Sequence, residues 1–289
     1  MLVKAPTNPT QLSIRPAQEA DRHKLATLIH FSPYVHRHLG WRAPLDWLGK
    51  EPYLVAERDD QILAALACPP DNPEISWLRL FAVSTAMHVD DAWEMMWPVA
   101  NRLIGESIPI SALPLQSWFR RLLETSSFSH AYDVLMMRWK DVSQSIPALS
   151  PDSPYSIRMM NYDDLKTVHA LDDDAFDPVW RHSIELLEIA FQNAALATVA
   201  EDRQGIMGYQ VSTANDSDGH LARLAVHPRA RRLGVGYTLV QDLLVNYRRR
   251  GIVKVTVNTQ ESNQASLSLY EKAGFEKTGE VFPIFEINH

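Results

Sequence analysis

The sequence predicts an α/β (α+β) protein built as two tandem copies of one unit, and three observations carry that expectation. Short residue strings recur along the chain at a nearly constant offset. Apolar runs of strand length alternate with segments of helical periodicity. A proline- and serine-rich stretch separates the two sets of strings.

Ser13-Ile14-Arg15 recurs as Ser156-Ile157-Arg158, displaced by 143 residues. Val55-Ala56-Glu57 recurs as Val199-Ala200-Glu201, Ile62 as Ile206 and Arg79-Leu80 as Arg223-Leu224, all displaced by 144. Leu122-Leu123-Glu124 and Phe128 fall on Leu269-Tyr270-Glu271 and Phe275, displaced by 147. Each match is weak alone, and their shared register is what an internal duplication leaves. Between the copies, Val142 to Pro154 holds three prolines and four serines, the composition of an exposed linker. The expected domains are therefore residues 1–145 and 154–289, with the boundary near residue 150.

The elements follow in order. In the first copy, Glu19 to His30 reads as a helix, and Tyr53 to Glu57, Ile62 to Cys68 and Trp77 to Val83 as strands. In the second, Ser156-Ile157-Arg158 opens a strand, and Tyr162 to Asp172 is helical with Leu165, Val168 and Leu171 on one face. Ile184 to Gln192 is another helix. Leu196 to Glu201 and Ile206 to Thr213 are strands joined across a turn-forming Asp202-Arg203-Gln204-Gly205. Leu221 to Val226 is an apolar strand closed by His227-Pro228, because proline cannot donate to a ladder. From Tyr237 to Arg250 apolar residues recur at helical spacing until Gly251, a residue suited to a C-cap. Ile252 to Val257 is a β-branched strand, and Asn263 to Ala273 a helix stopped by Gly274.

Composition sets the outer limits. The 289 residues are 46% hydrophobic and 22% charged, ordinary for a chain that buries a sizeable core. A formal net charge of −7 argues against a nucleic-acid partner and leaves a cationic amine substrate open. The single Cys68 excludes an internal disulfide and a cysteine-built zinc site, and no metal is expected. No run approaches a membrane span, and Met1 to Thr10 is too short and polar for a signal peptide, so a cytoplasmic protein is expected.

The loop Arg229 to Gly236 joins the strand at Val226 to the helix at Tyr237. Helix-opening amides lack partners in the helix, and the dipole there favours negative charge, so such a junction suits a phosphate. Gly234 and Gly236 keep side chains off the backbone, and Arg231 and Arg232 add positive charge. It is neither a Walker loop nor a GxGxxG fingerprint. By itself a Gly-x-Gly is also an ordinary strand-to-helix turn.

Arg231-Arg232-Leu233-Gly234-Val235-Gly236 resembles the R/Q-x-x-G-x-G/A signature of the GNAT superfamily of acyl-CoA-dependent N-acyltransferases. Leu224-Ala225-Val226-His227-Pro228 resembles the strand before that loop. Asn263 through Leu269-Tyr270-Glu271-Lys272-Ala273-Gly274-Phe275 resembles the family's later segment. The resemblance covers residues 155–289. It implies a mixed, mostly antiparallel sheet flanked by helices, acetyl-CoA as co-substrate, and a small-molecule or peptide amine as acceptor. The first copy has Ser84-Thr85-Ala86-Met87-His88-Val89-Asp90-Asp91 where the second has its glycines and arginines. It is expected to be a degenerate copy that does not bind acyl-CoA.

The resemblance also assigns roles. Residues Arg231 to Gly236 would hold the pyrophosphate, and the backbone of Leu224, Ala225 and Val226 would pair with the pantetheine arm. The Val226 amide would face the thioester oxygen. Asn263 would hydrogen-bond the same arm, or simply cap its helix. Tyr270 would be the general acid for the leaving thiolate, since a phenol keeps its proton at neutral pH, or else an aromatic packed beside Phe275. Where several relatives carry a glutamate base, this chain has Asn258. His220, at the place of a base in other relatives, has a suitable ordinary pKa, and even spacing sets it on the strand face of Ala222, Leu224 and Val226. A solvated histidine is the alternative, and Glu201 reads as a strand-end carboxylate. Asp172 to Asp177 reads as a solvated acidic turn, or as a rim that attracts an amine. His36, His38 and Trp41 read as a surface cluster rather than a metal site.

Overall fold

The computed structural model describes residues 12–141 and 154–287, so residues 142–153 of the expected linker lie outside it. The chain divides into two compact units, cut between Ala131 and Tyr132 and again between Pro283 and Ile284. This division departs from the expected boundary near residue 150. The strand that precedes the linker is hydrogen-bonded inside the second unit, which moves the cut upstream.

The first unit runs β1 (Ser13–Pro16), α1 (Arg22–Phe31), β2 (Tyr34–Arg37), β3 (Tyr53–Arg58), β4 (Gln61–Ala67), β5 (Pro70–Asn72), β6 (Ile75–Trp77), β7 (Leu80–Val83), α2 (Val89–Ile104), β8 (Ile110–Ala112) and α3 (Ser117–Glu124). Five strands form one sheet in the order β1-β3-β4-β7-β2. One face carries α1, whose Leu25, Leu28 and Ile29 pack with Val55, Ala65 and Leu80. The other carries α2, where Trp93 and Trp97 stack at 5.0 Å against a core that includes Phe81 and Phe119. Phe285 and Ile287 join that core, and Phe285 pairs with Ala112 of β8. The expected strand Trp77 to Val83 is broken in two, with Leu78 and Arg79 between β6 and β7.

The second unit takes in β9 (Ser129–Lys140) from Tyr132 onward, then β10 (Ser156–Met159), α4 (Leu165–Ala175), α5 (Ile184–Gln192), β11 (Leu196–Asp202), β12 (Gly205–Ala214), β13 (Asp218–Val226), α6 (Val235–Arg249), β14 (Lys254–Gln260), α7 (Gln264–Lys272) and β15 (Glu276–Ile287) up to Pro283. Its strands lie in the order β10-β11-β12-β13-β14-β9-β15. The pair β13–β14 is parallel, and the pairs β10–β11, β11–β12, β12–β13 and β14–β9 are antiparallel. Leu239, Val240, Leu243, Leu244 and Tyr247 of α6 are all buried, as their spacing predicts, and Gly251 follows with φ +79°.

The duplication extends to side chains. Arg15 forks onto Asp21 at 2.7 and 2.9 Å, and Arg158 onto Asp164 at the same two distances. Arg15 also reaches Glu57 at 2.7 Å, as Arg158 reaches Glu201 at 2.9 Å. Glu201 is thus a strand-end carboxylate held by an arginine. Both copies shift register at this glutamate, between Ala56 and Glu57 and between Ala200 and Glu201. One sequence match does not survive. Ala67 and Val211 are equivalent by pairing, yet Ala67 faces Leu80 and Val211 faces Arg223. Arg223 therefore corresponds to Leu80 rather than to Arg79.

Candidate active site

Parallel pairing of β13 with β14 ends at Leu221 opposite Val257. Both strands continue, β13 to Val226 and β14 to Gln260, the latter paired to β9 throughout. Among the described residues, no strand pairs with one edge of residues 222–226. On the other edge, the His227 amide donates to Met207 O at 2.9 Å. Alternation of an antiparallel ladder then turns the backbone groups of Ala225 and Arg223 toward β12, and those of Leu224 and Val226 toward the open side.

The same edge of the first unit is filled. Tyr34 pairs with Val83 and His36 with Phe81. By strand pairing, Val83 and Phe81 are the counterparts of Val226 and Leu224. The helix after β7 also begins with exposed Asp90 and Asp91, carboxylates that suit the helix dipole but repel an anion.

The open edge of β13 leads to the loop. Gly234 adopts φ +82° and caps α6, a left-handed conformation that favours glycine. The helix begins at Val235, two residues earlier than its apolar pattern suggests. The first hydrogen bond that closes it runs from the Thr238 amide to Gly234 O at 3.0 Å, leaving the amides of Val235, Gly236 and Tyr237 outside the helical ladder. Arg231, Arg232 and Leu233 are exposed beside them, Arg232 with φ +67°. Gly236 is buried, and a Cβ there would stand 2.8 Å from Leu269 Cδ1 and 3.3 Å from Val226 Cγ2. Its lack of a side chain thus serves helix packing. Arg229 is engaged elsewhere, reaching Asp202 at 2.9 and 3.1 Å.

His220 lies half-buried where β13 and β14 are still paired, its Nδ1 2.9 Å from Thr256 Oγ1. Burial lowers its pKa below the ordinary 6.5, and the hydrogen bond to Thr256 opposes that shift. Thr256 Oγ1 also donates to Gly219 O at 3.4 Å, and in the tautomer whose Nδ1–H donates to Oγ1 the His220 Nε2 keeps its lone pair. The expected strand face needs correction. Gly219 lies against the Tyr247 ring and Leu221 joins the α6 core, so His220 points to the opposite face. Leu224 and Val226 also pack toward α6, with Val235 and Leu239. A bulge at Ala222, where Val211 faces Arg223 but Ser212 faces Leu221, breaks the alternation. His220 consequently shares its face with Arg223.

Tyr270 is buried in α7, its ring centroid 5.7 Å from that of Phe275. Burial alone pushes its phenol up, which keeps the proton on. Asn263 caps α7, its Oδ1 accepting from the Ser266 amide at 3.0 Å, and its Nδ2 is the remaining donor. Asn258 is exposed one residue past the last β13–β14 pair.

The acidic run is a solvated turn only in part. Asp172 to Ala175 end α4, and while Asp174 and Asp177 are exposed, Asp172 is wholly buried. Its carboxylate accepts from Arg223 Nη2 at 2.6 Å and Nε at 2.8 Å, from the His182 amide at 3.1 Å, and from the Tyr209 hydroxyl. Arg223 Nη2 also donates to Trp180 O at 2.7 Å, and its guanidinium lies 3.7 Å from the centroid of the Phe176 ring. Asp174 stands 3.5 Å from His227 Nε2. The signal in the sequence is an arginine in the apolar string Leu221 to Val226, at a position that needs a buried counter-charge.

The histidines of the first unit also differ from expectation. His36 is fully buried and stacked on Phe119 at 4.0 Å, with Nε2 3.2 Å from Leu78 O. No cluster of three or more metal-ligating side chains occurs among the described residues. No helix among them is long and apolar enough to cross a membrane.

The Acetyltransferase (GNAT) family model matches residues 165–275. A probable N-acetyltransferase camello of Xenopus tropicalis is 35% identical over 74 residues, 26% of this chain and 34% of that protein. The [ribosomal protein bS18]-alanine N-acetyltransferase of Salmonella typhimurium is 30% identical over 80 residues, 28% of this chain and 53% of that protein. The chain thus spans about a third to a half of the length of these curated relatives. Among solved structures, a tandem GNAT protein from the clavulanic acid biosynthesis pathway aligns with TM-score 0.61 at 14% identity, over 96% of this chain and 98% of that one. A GCN5-related N-acetyltransferase from Sphaerobacter thermophilus aligns with TM-score 0.56 at 17% identity, over 97% and 96%. These likenesses show the tandem fold.

Proposed function

We propose, from the match of residues 165–275 to the Acetyltransferase (GNAT) family model, that the protein is an N-acetyltransferase with one working site, in its C-terminal unit. It transfers an acetyl group from acetyl-CoA to a primary amine of a small molecule or peptide by direct attack. The observation that carries this reading is the open edge of β13 at residues 222–226, which follows the half-buried His220 and precedes the loop to the helix-opening amides of α6.

The backbone groups of Leu224 and Val226 bind the pantetheine arm as an added strand does, and the Nδ2 of Asn263 assists. The amides of Gly234, Val235 and Gly236, with Arg231 and Arg232, bind the pyrophosphate. Leu233 contributes its main chain alone. Acetyl-CoA supplies an activated thioester, which the Val226 amide polarises. His220 Nε2 accepts the amine proton, and the Tyr270 hydroxyl returns a proton to the departing thiolate. The pairing of Tyr34 to Arg37 along β7 supports a single site, because it occupies the edge that acetyl-CoA would need in the first unit.

Asn258, which cannot take a proton, favours a second reading, an acyl-CoA-binding sensor or scaffold without catalysis. Incubation with acetyl-CoA and a panel of amines, following free thiol, separates the two. Amine-dependent thiol release supports the enzyme. Tight acetyl-CoA binding with no release on any amine supports the sensor.

A further inference from the structure

The two units hold different chemistry at one equivalent place. Pairing and helix register make Ile29 the counterpart of Asp172, Ala65 that of Tyr209 and Leu80 that of Arg223. In the first unit these three belong to one apolar cluster. In the second they form the buried network of Asp172, Tyr209 and Arg223. A buried ion pair generally adds little stability over well-packed apolar residues, and the first unit shows the apolar version in the same fold.

What the polar version does is pin the segment that follows α4. Trp180 O, the His182 amide and the Phe176 ring are all held by Asp172 or Arg223. In the first unit the segment that follows α1 is Tyr34–Arg37, and it lies as β2 along β7, hydrogen-bonded where Leu224 and Val226 are open in the second unit. One duplicated segment therefore has two positions. It fills the cleft where the triple is apolar and is tied to α4 and β13 where the triple is charged.

We propose that Asp172, Tyr209 and Arg223 are positioning residues that hold Phe176–His182 off the edge of β13 and so keep the acetyl-CoA cleft open. This rests on the acetyltransferase reading above. It also explains a charge in a strand whose alternation asks for an apolar residue.

The test installs the first unit's residues in the full chain, Asp172→Ile with Tyr209→Ala and Arg223→Leu. Acetyl-CoA affinity is measured by calorimetry, with melting temperature and hydrogen exchange over residues 176–183. The expected variant melts cooperatively, has altered exchange in that segment and binds acetyl-CoA at least about tenfold more weakly, or about 1.4 kcal/mol. A folded variant whose Kd stays within about threefold of the parent overturns the proposal. A merely structural network would change melting and leave the affinity of the folded protein alone. Should the triple variant not fold, Arg223→Lys keeps a charge beside Asp172 and lacks the second arm that reaches Trp180. It is expected to speed exchange over 176–183 and weaken acetyl-CoA, and unchanged exchange and affinity overturn the idea. If the unaltered chain binds no acetyl-CoA, the acetyltransferase reading fails and this proposal falls with it.

Discussion

His220 Nδ1 lies 2.9 Å from Thr256 Oγ1, a bond between directly paired residues in the short stretch where β13 and β14 still run together. One residue further on the strands part. The imidazole is thus fixed by its neighbour at the mouth of the opening, and burial keeps it neutral at pH 7.

A base must be unprotonated to act, and lowering its pKa extends activity to lower pH. The kcat/KM profile is therefore expected to hold its plateau at pH 7 and fall on an acid limb centred below 6.5. His220→Gln is expected to cost about 10²-fold in kcat/KM and to remove that limb. A limb that persists in the variant assigns the base elsewhere.

Tyr270→Phe keeps the ring beside Phe275 and removes the proton donor. Protonation of the thiolate belongs to the chemical step, so turnover is expected to fall about 10²- to 10⁴-fold. Acetyl-CoA affinity stays nearly unchanged. Steady-state kinetics with calorimetry checks both. Full turnover in the variant makes Tyr270 a packing residue.

Gly236→Asp puts a side chain against Leu269 and Val226, so it is expected to lower melting temperature together with acetyl-CoA affinity. Arg231→Glu with Arg232→Glu, on exposed residues, is the cleaner probe. The double variant is expected to melt like the parent and bind acetyl-CoA at least about tenfold more weakly, with much less dependence on salt.

Burial in the first unit pushes the His36 imidazole down to about 4, from an ordinary 6.5. Between those values the unfolded chain binds a proton that the folded chain does not. Stability is then fully present above pH 6.5 and is lost as pH falls toward 4. Urea unfolding is expected to show on the order of 2 kcal/mol lost between pH 7 and pH 5, and less in His36→Phe. Equal losses in both proteins contradict this.

The C-terminal loop, its two flanking strands and helices, and the duplication were legible in the sequence because each rests on local pattern. Gly234, the apolar face of α6 and the paired motifs of Arg15 and Arg158 need only short-range reading. What could not be read depends on distant pairing. Nothing near Tyr34 says that it will lie on Val83, and nothing in Ser129–Lys140 says that it will pair with β14. A one-residue bulge at Ala222 reversed the face expected for His220. Asp172 looked like part of a surface charge run because its partner, Arg223, lies 51 residues away.

The most direct measurement is a calorimetric titration of the full chain with acetyl-CoA. The account predicts one site per chain, weakened at least about tenfold in the Arg231→Glu, Arg232→Glu variant. Two sites per chain, or a single site that keeps the parent's affinity in that variant, would contradict a single cleft in the C-terminal unit.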